Sequence, residues 1–180
     1  MGKIVSNFFI SLDGVVESPD TWHFPYFNDE MGKAIGNGME TTDSLLMGRV
    51  LYGEWAGYWP TSDDEPIASI FNNMPKYVVS RTLREATWNN TTIISGEVAG
   101  AIRNLKDSTE GDITMSGSAT LVRWLLANGL LDRLNLMVHP IAVGKGQRLF
   151  EDTPTHRLQL VSQETFSTGV LNLGYAPADS

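Results

Sequence analysis

Residues 112–121 read Asp112-Ile113-Thr114-Met115-Ser116-Gly117-Ser118-Ala119-Thr120-Leu121, and this stretch decides the fold. A buried strand stops at Ser116-Gly117-Ser118 and turns straight into a helix that runs from Ser118 to Asn128. Leu121, Val122, Trp124, Leu125 and Leu126 give that helix a wide apolar face. Ser118 stands where an N-cap is expected, and Gly129 fits the position just past the C-terminus. The first N–H groups of a helix have no partners and sit at the positive end of its dipole. A small-residue turn feeding a helix is therefore an anion site.

The segments upstream repeat the pattern. Residues 3–11 carry Ile4, Phe8 and Ile10 on one face and Val5 and Phe9 on the other, which predicts a strand covered on both sides and central in its sheet. It ends in Ser11-Leu12-Asp13-Gly14. Asp13 is either a turn former or a ligand contact at the end of a central strand. Short strands at 44–48, 76–80 and 91–95 follow. The first runs into Gly48-Arg49 and a helical turn over 50–54, and the second into Arg81-Thr82. Helices are predicted over 28–39, 63–73 and 97–106. In the first of these, Asn28 is the N-cap, Asp29 and Glu30 belong to the cap, and Met31, Ile35 and Met39 form an inward stripe.

Downstream, residues 133–139 alternate cleanly and end in His139, read as a structural or rim histidine. A glycine-rich connection spans 141–150, and strands at 157–166 and 169–176 form a hairpin about Ser167-Thr168. Strands and helices alternate through residue 139 and a hairpin closes the chain. The expectation is one three-layer α/β domain over 1–180, with a mixed, mainly parallel sheet and antiparallel last strands. Two stretches rich in aromatics, 15–27 and 55–60, are expected as loops that pack on the core or wall a pocket, with His23 at the surface.

Composition narrows the chemistry. The 180 residues include 13 Lys and Arg against 21 Asp and Glu, a net charge of −8 that argues against a general nucleic-acid partner. There is no cysteine, which removes disulfides, thiolate metal sites and a cysteine nucleophile. The three histidines, His23, His139 and His156, lack metal-ligand spacing. No apolar run suits a membrane span and no signal peptide is read, so a cytoplasmic location is expected. A nucleophile elbow, a P-loop and the Gly-x-Gly-x-x-Gly fingerprint are all missing. What remains is three strand-end loops with anion-binding chemistry: Gly48-Arg49, Ser80-Arg81-Thr82 and Ser116-Gly117-Ser118.

These motifs, in this order, resemble the dihydrofolate-reductase-like fold. In particular, they resemble the reductase domains that include the C-terminal domain of the bifunctional riboflavin-biosynthesis protein. The similar segments are Ser11-Leu12-Asp13-Gly14, Leu46-Met47-Gly48-Arg49, Val79-Ser80-Arg81, Met115-Ser116-Gly117-Ser118, and His139-Pro140 with Gly144-x-Gly146-x-x-Leu149-Phe150. The resemblance implies a stand-alone NADPH-dependent reductase and a homodimer. The hydride would go to a C=N or C=O of a small pteridine-like or pyrimidine-derived molecule. Leu12, Gly48, Arg49, Ser80, Arg81, Ser116, Gly117 and Ser118 would hold the cofactor, with the 2′-phosphate at Ser80-Arg81 and the pyrophosphate at Gly117-Ser118. Asp13 would face the substrate, and Trp22, Phe27 and Tyr52 would wall its pocket. A non-catalytic NADP(H)-binding protein on the same fold is the alternative.

Overall fold

The strand read at Lys3–Ser11 (β1) lies inside an eight-stranded sheet, because apolar residues alternate on both of its faces and each face must be covered. The computed structural model describes residues 1–178. The helices are α1 (Asp29–Glu40), α2 (Arg49–Tyr58), α3 (Ile67–Asn73), α4 (Val98–Ser108) and α5 (Ala119–Ala127). The remaining strands are β2 (Thr42–Gly48), β3 (Lys76–Val79), β4 (Thr91–Ile94), β5 (Asp112–Ser116), β6 (Arg133–His139), β7 (Leu158–Thr165) and β8 (Leu171–Pro177). They are ordered β4-β3-β2-β5-β1-β6-β8-β7, parallel from β4 to β6, with β8 antiparallel to both β6 and β7.

The register identifies the two faces. Val5 pairs with Thr114, and Thr114 with Leu45, so these three share one face. On it, Leu45, Met47 and Val78 pack with Tyr52 of α2 and Trp88. On the same face Phe9 and Met137 pack with Met31 of α1, Phe166 and Val170. Ile4, Phe8, Ile10 and Leu46 pack the other way, against Ile102 and Leu105 of α4 and Leu121, Val122 and Leu125 of α5. The chain therefore leaves β1 and β2 through helices on one face, and leaves β5, which lies between them, through a helix on the other. Adjacent parallel strands whose connections depart to opposite faces leave a crevice at their carboxyl ends.

Several expectations shift in detail. Ile35 is 38% exposed, so the inward contacts of α1 come from Met31 and Ala34 instead of a four-residue stripe. The helix expected over 63–73 begins only at Ile67. Pro66 disfavours helical backbone in the residue before it, and the Asp64 carboxylate instead accepts from the hydroxyls of Tyr58 and Ser62. The turn at 50–54 is the start of a full helix that takes in Trp55 and Tyr58. The second aromatic stretch is therefore mostly helical: Trp55 and Trp59, four residues apart, pack on Phe71 with centroids 5.0 and 4.8 Å away.

Lys76 fixes this side of the molecule. It is fully buried, and its ammonium donates to the carbonyls of Phe71, Asn72 and Met74 at 2.7, 3.2 and 2.7 Å, around the end of α3. It also lies 4.3 Å from the centroid of the Trp88 ring. Burial pushes its pKa down to about 8, which leaves it charged at neutral pH. Trp88 in turn donates its backbone N–H to the Tyr52 hydroxyl (3.0 Å) and its indole N–H to Asn72 (2.7 Å), anchoring the loop that follows Arg81 to α2 and α3. Lys76→Ala strips three carbonyls of their donor and opens a void beneath Trp88. Its expected cost is about 3 kcal/mol, measured as a lower urea midpoint at unchanged slope.

Candidate functional site

The parallel pairing of β2 with β3 sets Gly48 opposite Val79, so Arg49 and Ser80-Arg81 emerge side by side from one edge of the sheet. The turn after β5 is tied to the same place, because the Ser118 hydroxyl accepts the Gly48 N–H at 3.0 Å. This corrects the reading of Ser118 as an ordinary N-cap. It occupies that position, but it is left-handed (φ +59°) and its side chain makes no capping bond to its own helix. Side-chain capping needs extended backbone at the cap residue. The hydroxyl serves the neighbouring strand end instead. Gly117 is also left-handed, at φ +71°, which glycine adopts without a Cβ penalty. Ser80 is buried, and its hydroxyl accepts from the N–H groups of Thr82 (3.2 Å) and Leu83 (2.9 Å), curling the loop that carries Arg81.

The donor chemistry at this edge fits a group with several phosphates. Helices α1 and α4 are capped by their own side chains, Asn28 on Met31 N–H (3.0 Å) and Glu97 on Gly100 N–H (2.6 Å). Helices α2 and α5, which begin at Gly48-Arg49 and at Ser118, have no side-chain cap. Their first-turn N–H groups are left for another acceptor. Arg49 and Arg81 are exposed, and among the described residues neither pairs with a carboxylate. A cavity of about 510 Å³ runs between α2 and the loop 82–87, lined by Arg49, Tyr52, Gly53, Thr82, Leu83 and Glu85.

Asp13 is committed to its own loop. Its carboxylate accepts from the Ser11 hydroxyl (2.6 Å) and from the N–H groups of Val143 (3.0 Å) and Gly144 (2.7 Å). The Ser11 hydroxyl first, then the two backbone donors, bring its pKa down to about 2. Backbone bonds from Leu12 to Ile141 (2.8 Å), Val16 to Gln147 (2.9 Å) and Leu149 to Gly14 (3.0 Å) join the two loops into one unit. The glycine-rich connection is thus the support of the loop after β1. Glu30 is likewise spent. It accepts from the hydroxyl (2.6 Å) and N–H (2.7 Å) of Ser167 and from Asn28 (2.7 Å), which hold its pKa below the usual carboxylate range and pin α1 to the β7–β8 turn.

Of the three aromatic residues expected to wall one pocket, Tyr52 lies apart from Trp22 and Phe27, which both flank the His23–His139 cluster. Tyr52 is buried beside Trp88 under α2. Phe27 is exposed, near Gly32 of α1. Trp22 is buried rather than lining an open wall, with its ring 5.2 Å from that of His139 and nearly perpendicular to it. His23, expected at the surface, is buried too and lies flat on Phe9 with centroids 4.4 Å apart. Phe9, Trp22, His23 and Tyr26 all stand edge-on to His139. The Nδ1 of His139 lies 2.8 Å from the Met137 carbonyl, which can only accept, so Nδ1 carries the hydrogen. Its Nε2 is buried without a hydrogen-bond partner, as is Nδ1 of His23. Sequence reasoning had no signal for this cluster. Phe9 reads as core, and its meeting with His139 depends on the pairing of Ser11 with His139 across β1 and β6.

Comparison with known proteins places this geometry. The family model for the RibD C-terminal domain matches residues 2–172. The uncharacterized protein YyaP of Bacillus subtilis (strain 168) is 28% identical over 96% of this chain and 94% of its own length. A Shewanella sp. PV-4 structure described as a riboflavin biosynthesis protein superposes with a TM-score of 0.81 at 19% identity, over 99% of this chain and all of its own. A pyrimidine reductase-like protein of Corynebacterium diphtheriae gives 0.67 at 13% identity, covering 99% and 93% of the two chains. The dihydrofolate reductase of Enterococcus faecalis, solved with NADP(H), gives 0.66 at 14% identity, covering 99% and 98%. The fold is dihydrofolate-reductase-like.

The two buried histidines make stability depend on pH. Burial first, then repulsion from His139, lowers the pKa of His23, and burial lowers that of His139. Both are thus neutral in the folded protein where the unfolded chain begins to bind protons. Their contribution is full above the unfolded value of about 6.5 and is lost as pH falls below it. Urea unfolding between pH 7.5 and 5 should show this decline, and His139→Phe should flatten the slope.

Proposed function

Because the chain belongs to the RibD C-terminal domain family, we propose that it is an NADPH-dependent reductase. It would deliver a hydride to a C=N or C=O carbon of a small pteridine-like or pyrimidine-derived molecule. The observation that carries this reading is the pair of uncapped helix N-termini, α2 and α5, beside two arginines with no carboxylate partner. Arg49, Ser80 and Arg81 would grip the adenosine 2′-phosphate, Arg81 through its planar donor fork. Ser116, Gly117 and Ser118 would present the α5 N-terminus to the pyrophosphate, with Gly48 allowing close approach. Bound there, NADPH supplies the hydride.

The protein's own part is placement. Leu12, exposed at the end of β1, would cover the nicotinamide, and Asp13 would keep that loop in position through its bonds to Val143 and Gly144. Fixing two reactants in register removes up to about 7–11 kcal/mol of barrier. The proton would come from water, since Asp13 and Glu30 are both occupied by backbone and hydroxyl donors. That same occupancy favours the second reading, a protein that binds NADP(H) without turnover. A homodimer belongs to the proposal as well: β7 forms one edge of the sheet, with Leu160 and Val161 exposed.

NADPH at one hundred times its dissociation constant should add about 2.7 kcal/mol of stability, a melting shift of about 5–10 °C for a chain of this size. No shift would sink both readings. Oxidation of NADPH by pteridines or pyrimidinones separates the enzyme from the binding protein. Arg81→Ala should cut the NADPH over NADH preference about tenfold, or about 1.4 kcal/mol. An unchanged ratio would remove Arg81 from the 2′-phosphate.

A further inference from the structure

The cavity of about 510 Å³ between α2 and the loop 82–87 is not uniformly receptive to anions. Among the described residues that line it, Arg49 and Glu85 carry the only charges, one of each sign, and Arg81 is not part of the lining. Thr82 and Thr87 add hydroxyls. Gly53 and Gly57 add bare helix backbone, and a Cβ placed on either would meet nothing within 4 Å. The room therefore exists because α2 carries no side chains on this side.

Glu85 differs from the carboxylates nearer β1. Asp13, Glu17 and Glu30 each accept from backbone N–H groups of distant loops. Among the described residues, Glu85 forms neither a hydrogen bond nor an ion pair, although Arg49 lines the same cavity. Its loop is nonetheless pinned at both ends. The Ser80 hydroxyl holds the N–H groups of Thr82 (3.2 Å) and Leu83 (2.9 Å), and the Tyr52 hydroxyl holds the N–H of Trp88 (3.0 Å). A carboxylate that supports nothing in the fold is thus kept at the cavity wall, where it acts on whatever enters.

The chemistry of the two charges separates two ligands. A phosphomonoester carries about −1.5 to −2 charges at neutral pH, so Arg49 attracts it and Glu85 repels it. A ribose hydroxyl satisfies both groups. Its O–H donates to the carboxylate in a charge-assisted bond while its oxygen accepts from the guanidinium. An acidic side chain on the ribose 2′-hydroxyl is how other dinucleotide-binding sheets favour the unphosphorylated cofactor. We propose that Glu85 sets the nucleotide preference of this site. Its carboxylate accepts from the 2′-hydroxyl of NADH and repels the 2′-phosphate of NADPH. The preference for NADPH conferred by Arg49 and Arg81 is thereby held down, and NADH is accepted as well. This rests on the reductase reading, which brings the 2′-position of the ribose to Arg49 and the loop after β3.

The test measures dissociation constants for NADPH and NADH on the full chain, by energy transfer from tryptophan to the reduced nicotinamide. Wild type should bind both nucleotides. Glu85→Gln keeps the shape and removes the charge, and it should raise the NADPH over NADH affinity ratio about tenfold. Without nucleotide it should melt with wild type, since Glu85 holds nothing in place. Glu54→Gln makes the same change of charge on α2 outside the cavity and should leave the ratio where it was. Gly53→Leu fills the cavity from α2 and should weaken both nucleotides. A ratio unmoved by Glu85→Gln overturns the proposal. So does a ratio moved equally by Glu54→Gln, wild type that binds NADPH but not NADH, or affinities untouched by Gly53→Leu. In each of these cases NADPH still binds and the reductase reading stands; binding of neither nucleotide by wild type sinks that reading and this proposal together.

Discussion

Strand β5 is hydrogen-bonded to β2 on one side and β1 on the other, and the candidate site depends on that double pairing. Five residues of β5 deliver Ser116-Gly117-Ser118 to the middle of the sheet's carboxyl edge. The helix that follows must then leave by the face opposite α1 and α2, because that is where Leu121, Val122 and Leu125 find Ile4, Phe8 and Ile113. Burial of these side chains, at roughly 1.5–3 kcal/mol each, fixes the direction of α5. The bond from Gly48 N–H to Ser118 then locks the turn against β2.

Polar groups near this edge divide by whether the fold uses them. The carboxylates of Asp13, Glu17 and Glu30 accept from backbone N–H groups of loops distant in sequence, at Val143-Gly144, Gln147 and Ser167. The hydroxyls of Ser11, Ser80 and Ser118 likewise serve backbone donors. The first-turn N–H groups of α2 and α5 and the guanidiniums of Arg49 and Arg81 are not used in this way. An edge that leaves two helix N-termini and two guanidiniums free attracts an anionic ligand, even on a chain with a net charge of −8. Local geometry outweighs total charge because screening confines surface charge to about 10 Å.

Much of the fold was legible in the chain. Alternation on both faces of residues 3–11 identified a central strand, and the 112–121 stretch announced its strand–turn–helix unit within a residue or two of its boundaries. These signals are local: each depends on side-chain spacing over one element. The failures have a common cause in contacts between elements. Ile35 has the right spacing for an inward face, yet α1 crosses the sheet so that Met31 and Ala34 do the packing. No reading was made of Lys76, whose cationic head enters the interior because α3 ends above it and offers three carbonyls.

The chain by itself determined the order of elements, the parallel core with its antiparallel close, and the three small-residue loops at strand ends. Spacing, glycine placement and hydroxyl or guanidinium chemistry are written residue by residue. Tertiary structure alone decided which loops meet and which groups are left over. Register set Gly48 beside Val79 and Ser118 against Gly48. Pairing of Ser11 with His139 gathered Phe9, Trp22, His23 and Tyr26 around one imidazole, where the isolated sequence had placed His23 in solvent. The physical reason is that burial and hydrogen-bond satisfaction are properties of neighbours in space, and 115 residues of chain separate His23 from His139.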